Sequence, residues 1–281
     1  MSFFRYPGGK SKIWNVISQH FNEYIRKGGI VELREPFFGG GSVGTKFLSQ
    51  NHSWEKIWIN DFDKGISDLW TSVIKHPEAL KEMVMNFKPS IEAFDQFKLN
   101  LTSGLNMDTV ECGFEKLAIH QISYSGLGTK SGGPLGGRKQ ASRYKIDCRW
   151  SPEYICRKID LLHKRFSTVE VFGGRCTCLD FEEVILAGGK DTIIYLDPPY
   201  YHKGGDLYQH GFSASDHIRL AEALRKCDCP WVLSYDDCQE IRDLYWWSNI
   251  DALNVNYSIT GTKNEDGERS SRIKPELLIY A

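Results

Sequence analysis

Ile30-Val31-Glu32-Leu33-Arg34-Glu35-Pro36-Phe37-Phe38-Gly39-Gly40-Gly41-Ser42-Val43-Gly44 runs from a strand-like stretch into a glycine-rich turn. Residues 30–35 read as a strand that Pro36 ends. Gly39, Gly41 and Gly44 fit G-x-G-x-x-G, and a short helix through about Gln50 follows. A second strand, Lys56 to Asn60, ends at Asp61. Glycines let the backbone approach a ligand, and an Asp at the next strand's tip can accept both ribose hydroxyls. The pattern points to an adenosine-containing cofactor without choosing among NAD(H), FAD and S-adenosylmethionine. A tight turn with no ligand would carry the same glycines.

Working outward, a helix is expected from about Ile13 to Lys27, stopped by Gly28-Gly29. After Asp61 the texture changes. Residues 64–166 read as helical and irregular, with few strand-like runs. β texture then returns at Val169 to Phe172, Thr192 to Leu196, Trp231 to Tyr235, Leu253 to Ile259 and Leu277 to Tyr280. Helices are expected at Asp216 to Lys226, with Ser215 as N-cap, and at Asp237 to Trp246. The polar stretch Gly261 to Ser271 reads as a hairpin loop. The expected fold class is α/β: one domain from residues 1–63 and 167–281, interrupted by a mainly helical insertion at residues 64–166.

A chain of 281 residues with 41% hydrophobic and 25% charged residues is an ordinary globular composition. The net charge of -1 excludes a uniformly basic coat but not a local basic face. No run is apolar enough to span a bilayer, and the N-terminal residues lack a signal peptide's pattern, so a cytoplasmic protein is expected. The 8 cysteines include two C-x-C pairs, Cys176/Cys178 and Cys227/Cys229, with no standard zinc spacing. Reduced, mostly buried thiols and no metal are the expectation.

Three further features carry chemistry. Thr192-Ile193-Ile194-Tyr195-Leu196 leads into Asp197-Pro198-Pro199-Tyr200. Two prolines stiffen the loop, and a carboxylate, a free carbonyl and a ring could together grip a planar amine. Glu35 beside the glycine turn disfavours a pyrophosphate and suits a cofactor with an amino group and a positive sulfonium. Pro7-Gly8-Gly9-Lys10-Ser11 resembles the end of a P-loop, but Phe4 stands where its first glycine belongs. Tyr6 and Lys10 could instead clamp a carboxylate such as that of a methionyl group.

Taken in order, these motifs resemble the Dam family of DNA adenine-N6 methyltransferases over nearly the whole chain. Residues 4–10, Glu35 to Ser42, Asn60-Asp61, Asp180-Phe181 and Asp197 to Tyr200 carry the likeness. The resemblance implies a Rossmann-like S-adenosylmethionine-dependent methyltransferase fold and double-stranded DNA as partner. A possible cognate restriction endonuclease is the protein partner it leaves open. It implies a cofactor site from Tyr6, Lys10, Glu35, Pro36, Phe37, Gly39, Gly41, Ser42, Asp61, Asp180, Phe181 and Asp197. It implies Asp197, Pro198, Pro199 and Tyr200 as the catalytic loop, acting on an adenine flipped out of the duplex. The insertion at residues 64–166 falls where the family carries its target-recognition domain.

Residues 124–150 hold Lys130, Arg138, Lys139, Arg143, Lys145 and Arg149 against one acid, Asp147. Lys130, Arg138, Lys139 and Arg143 are therefore the DNA-phosphate candidates, with residues 263–272 as a second loop. Cytosine-N4 methylation on the same fold is the nearest rival. An NAD-dependent oxidoreductase fits the glycine turn but leaves Asp197 to Tyr200 without a role. A non-catalytic DNA-binding module would not need intact cofactor motifs.

Overall fold

The computed structural model describes residues 3–10, 12–50, 52, 54–202, 209–257 and 272–281. Among the described residues seven strands form one sheet: β1 (Glu32–Glu35), β2 (Lys56–Ile59), β3 (Glu170–Val171), β4 (Thr192–Leu196), β5 (Trp231–Asp236), β6 (Asn249–Tyr257) and β7 (Arg272–Tyr280). Their order is β3-β2-β1-β4-β5-β7-β6. β1 pairs in parallel with β2 and β4, with Leu33 opposite Ile57 on one side and Ile193 on the other. β7 alone runs antiparallel, to both β5 and β6.

Side-chain alternation divides the central strands between two faces. Ile193 and Tyr195 of β4 enter one core cluster with Val232 and Leu278. Ile194 and Leu196 enter the other with Trp231, Leu233, Leu277 and Ile279. Both faces are covered, which is why β4 reads as an unbroken apolar run. Helix α1 (Trp14–Arg26) buries Ile17 and Phe21 in the first core, and the short α2 (Gly44–Phe47) adds Phe47. Helices α8 (Phe181–Ile185), α9 (Ala214–Lys226) and α10 (Gln239–Leu244) cover the second. The strand order reverses between β1 and β4, and ligands of open α/β sheets bind beyond the strand carboxyl ends at that reversal.

The segment between β2 and β3 holds α3 (Lys64–Lys75), α4 (Pro77–Asn86), α5 (Ile91–Thr102), α6 (Thr109–Ile122) and α7 (Pro152–Phe166), and the 3-10 turns Tyr124–Gly126 and Gly128–Lys130. Among its described residues the β structure is a single isolated bridge, Ser123 to Pro134. α3 and α7 lie in the same core as the sheet, through Ile66, Leu69, Trp70 and Val73 and through Ile155, Ile159, Leu162 and Phe166. A separate cluster of Phe94, Ile119, Ile122 and Ile146 holds the outer part together. Residues 64–166 are thus helical, but their first and last helices are also the sheet's covering layer.

Local readings shift in identifiable ways. β1 starts at Glu32 because the Val31 and Glu32 N–H groups both donate to the Asp191 carbonyl. Phe172 leaves the expected strand for a turn, with Gly173 at φ 61°, and stacks on Trp58 at 3.9 Å. The N-cap of α9 is Ser213, not Ser215: its hydroxyl accepts from the Asp216 N–H, and Asp216 returns the bond in a capping box. The helix expected at 237–246 is shorter, Gln239–Leu244. β6 begins at Asn249, four residues before the expected Leu253. The thiols are less buried than expected, since Cys148 and Cys178 are exposed. The polar loop at 261–271 lies outside the described residues. Among the described residues no helix is long and apolar enough to cross a membrane.

Candidate active site

A cavity of about 450 Å³ opens at the carboxyl ends of β1, β2 and β4. Its walls include Tyr6, Glu35, Pro36, Phe37, Gly39, Ser42, Asp61, Asp180, Phe181, Asp197 and Pro199. Motifs scattered from the N-terminal residues to the third quarter of the chain therefore converge on one space. Gly41, Lys10, Pro198 and Tyr200 do not line it but neighbour residues that do.

The glycine turn is shaped from beneath. Trp70 of α3, fully buried, donates its indole N–H to the Gly39 carbonyl at 2.8 Å. Gly41 sits at φ 61°, and a Cβ there would come within 2.5 Å of the Trp70 ring. A Cβ on Gly44 would fall 2.4 Å from Glu35 Oε2, which accepts the Gly44 N–H at 2.9 Å. All three motif glycines are thus required by packing within the protein, Gly39 as well, since a Cβ there would come within 2.7 Å of the Tyr6 ring. Gly39, Gly40 and Ser42 are the turn residues that face the cavity.

Acids ring the space. Asp61 Oδ2 accepts the Gly39 N–H at 2.7 Å, and Oδ1 accepts the Asp63 N–H at 2.9 Å. Burial, then the neighbouring charge of Asp63, raises the Asp61 pKa to about 7. Burial and the proximity of Asp197 push Glu35 well above the usual carboxylate range. Burial also raises Asp197, with Lys10 opposing. Crowded, desolvated carboxylates favour a ligand that brings positive charge and hydroxyl donors. Across from them, Phe37, Phe181 and Phe212 stand with ring centroids 5.3 to 5.7 Å apart, an aromatic wall suited to a flat heterocycle.

Asp180 is the N-cap of α8, accepting the Glu182 N–H at 2.9 Å. Arg219 of α9 gathers three acids, Asp180 at 3.0 Å, Glu182 at 2.8 Å and Asp216 at 3.1 Å. Its guanidinium lies 4.9 Å from the Phe181 ring centre. This clamp fixes the orientation of the Asp180-Phe181 pair.

Lys10 is placed differently from expectation. Its ammonium pairs with Asp197 Oδ1 at 2.7 Å, donates to the Gly8 carbonyl at 3.0 Å and lies 4.8 Å over the Tyr200 ring. A cation 2% exposed and held this way is committed to the Asp197 loop, not to a ligand carboxylate. The Ser234 hydroxyl donates to the same Oδ1 at 3.2 Å. Both partners fall on Oδ1; among the described residues Oδ2 has no hydrogen bond. Asp236 accepts the Tyr201 N–H at 3.0 Å and so anchors the loop's exit. Asn60 ties the loops together, donating to the Pro36 and Leu179 carbonyls at 3.0 and 3.1 Å.

Phe212, Arg219, Ser234, Asp236 and Trp70 escape a motif reading. Only the polar residues ending β5, Ser234 and Asp236, carry a local sign, since they interrupt a buried apolar strand. Of the basic candidates, Lys130, Lys139 and Arg143 are exposed. Arg138 is exposed too, but both its terminal nitrogens pair with Asp95, at 2.9 and 2.8 Å, which offsets its charge. The second loop, residues 263–272, has no described side chains.

Comparison with known proteins agrees with this geometry. The chain is similar to the type II methyltransferase M.MjaIII of Methanocaldococcus jannaschii, 25% identical over 247 residues and 80% of each chain. It is similar to the type II methyltransferase M1.LlaDCHI of Lactococcus lactis subsp. cremoris, 24% identical over 99% of this chain and 93% of the relative. It is also similar to a DNA adenine methylase of Vibrio cholerae, 22% identical over 100% of this chain and 98% of the relative. The family described as D12 class N6 adenine-specific DNA methyltransferase matches residues 6–259. With nine-tenths of its length matched and the motifs gathered around one cavity, the chain belongs to the D12 class of N6 adenine-specific DNA methyltransferases.

Proposed function

We propose that the cavity binds S-adenosyl-L-methionine and that Asp197 presents the N6 amine of a flipped adenine to it. The carrying observation is the Asp197 carboxylate, fixed through Oδ1 by Lys10 and Ser234, in the wall of the same cavity as Glu35, Asp61 and Phe181. The cofactor supplies an electrophilic methyl group on a sulfonium. Phe37, Phe181 and Phe212 would form the wall against which its adenine lies, Asp61 would accept its ribose hydroxyls, and Glu35 would receive its positive end.

The N6 amine is a poor nucleophile because its lone pair is delocalised into the ring. Asp197 Oδ2 and the Pro198 carbonyl accept its two N–H hydrogens and bias the nitrogen toward sp³ geometry. Lys10 covers one face of the Tyr200 ring, and the flipped base stacks on the other. The prolines keep these acceptors aligned, which matters because in-line transfer depends on pre-set geometry. The family is adenine-specific, so the cytosine-N4 rival loses its ground. The type II names of two relatives make a cognate restriction endonuclease the protein partner to look for.

Binding of S-adenosylhomocysteine, followed by isothermal titration calorimetry, tests the cofactor assignment. Saturable one-to-one binding that Phe181→Ala weakens is expected; binding indifferent to Phe181 would contradict it. The pH dependence follows from Asp61. Ionised, it accepts ribose hydroxyls; protonated, it loses an acceptor. Because its pKa is raised to about 7, affinity should be flat above about pH 8 and fall up to about tenfold by about pH 6. Asp61→Asn should flatten that profile.

We infer that DNA lies against the outer part of the insertion, around residues 123–150. Substituting Lys139 and Arg143 together by Ala should weaken DNA binding and lower the slope of log K against log salt by about two. Arg138→Ala should do less, because Asp95 already offsets its charge. Fluorescence anisotropy at several salt concentrations checks both.

A further inference from the structure

Lys116 of α6 is 2% exposed. Removing an ammonium from water costs several kcal/mol, so its partners must make the burial tolerable. Among the described residues they are two, and both line the cavity. Lys116 Nζ meets Asp63 Oδ2 at 2.5 Å and donates to Gln209 Oε1 at 3.1 Å. Asp63 stands two residues beyond Asp61, donates its N–H to Asp61 Oδ1, and caps α3 by accepting the Ile66 N–H at 3.2 Å. Gln209, in the cavity wall, also accepts from Thr129 at 3.0 Å and donates to the Leu101 carbonyl at 3.1 Å. The chain leading to Phe212 is thereby pinned to α5, to α6 and to the turn Gly128–Lys130.

We propose that Lys116 is a positioning residue of the cofactor pocket: it offsets the negative charge of Asp63 beside Asp61 and holds Gln209 in the pocket wall. This rests on the reading that the cavity takes S-adenosylmethionine. Asp61 faces Asp63 on its own loop, Glu35 from β1, Lys116 from α6, and the Cys176 and Cys178 thiols from the connection after β3. Burial raises both thiols, which leaves them protonated, and His120, beside Asp63 on α6, is held neutral with its pKa lowered to about 3 by burial and by Lys116. Lys116 is thus the cation that acts on Asp61 among the described residues. Without it, two adjacent acids repel and Asp61 takes up a proton at higher pH; without Asp63's charge, the opposite follows.

The full-length wild-type chain, Asp63→Asn, Lys116→Met and the double variant are titrated with S-adenosylhomocysteine between about pH 6 and pH 9. The midpoint of the affinity profile should move down in Asp63→Asn, up in Lys116→Met, and back near wild type in the double variant. At about pH 7, Lys116→Met should bind about tenfold more weakly and recover most of that by about pH 9. If Lys116→Met fails to fold because Asp63 is left buried and unpaired, Asp63→Asn and the double variant decide, since Asn still caps α3. Unmoved midpoints, or a loss equal at every pH, would overturn the role. Absence of binding by the wild-type chain would instead overturn the cofactor reading on which it stands.

Discussion

Asp197→Asn is expected to reduce methyl transfer to DNA by about three orders of magnitude, the scale on which positioned acid–base and electrostatic groups act. The amide keeps the shape of the carboxylate and can still accept from Lys10. Its charge is gone, so the target amine's N–H groups meet a weaker acceptor. Asp197→Ala removes more than activity. Lys10 is buried, and taking away one partner of a buried ion pair costs about 3–5 kcal/mol because the other is left uncompensated. The Ala variant should therefore lose both activity and several degrees of Tm, whereas the Asn variant, which still accepts a hydrogen bond from Lys10 but no longer neutralises it, should lose activity with a smaller fall in Tm. Comparison of the two by thermal melts and single-turnover assays separates the chemical role from the structural one. Retained turnover in a folded Asn variant would remove Asp197 from the mechanism.

Trp70→Ala should be the most destabilising substitution near the site. The ring is fully buried, packs edge-on against Phe3, Phe38 and Phe166, and supports the Gly39 carbonyl. Emptying such a position costs about 3–5 kcal/mol. In a chain of this size that corresponds to a Tm fall on the order of 10 °C. Trp70→Phe keeps most of the packing and loses the hydrogen bond, so about 1 kcal/mol is expected. Since Gly39 faces the cavity and also donates to Asp61, the Phe variant should weaken S-adenosylhomocysteine binding more than its stability loss suggests. Denaturant melts beside calorimetry check this; equal affinity in Trp70→Phe would show that the turn holds its shape without the indole.

The legible parts of this chain were those encoded locally. β4 falls where its apolar run and Asp197-Pro198 place it, because a central parallel strand is buried on both faces and prolines end it. Asp61 sits just beyond the end of β2, where a sheet of this topology opens its crevice, and Asp180, the N-cap of α8, lines the same cavity. What stayed hidden depends on partners distant in sequence. Lys10 looked like a clamp for a ligand because nothing near it shows that the fold brings it to Asp197. The glycines read as ligand glycines, yet Gly41 and Gly44 answer to Trp70 and Glu35. Ile66, Leu69, Trp70 and Val73 have helical spacing, but spacing does not say that the sheet is what they pack against. The positive excess of residues 124–150 is countable in the sequence; the loss of Arg138 to Asp95 is not.

Under the proposed function, one cavity brings a sulfonium methyl donor to an adenine held by Asp197. Wild-type protein and Asp197→Asn are each incubated with S-adenosylmethionine carrying an isotope-labelled methyl group and with plasmid DNA. The DNA is then digested to nucleosides and resolved by mass spectrometry. Labelled N6-methyladenine is expected from the wild type, and about a thousandfold less from the variant. Label in N4-methylcytosine, or DNA without label from a wild-type chain that binds S-adenosylhomocysteine, would contradict the proposed function.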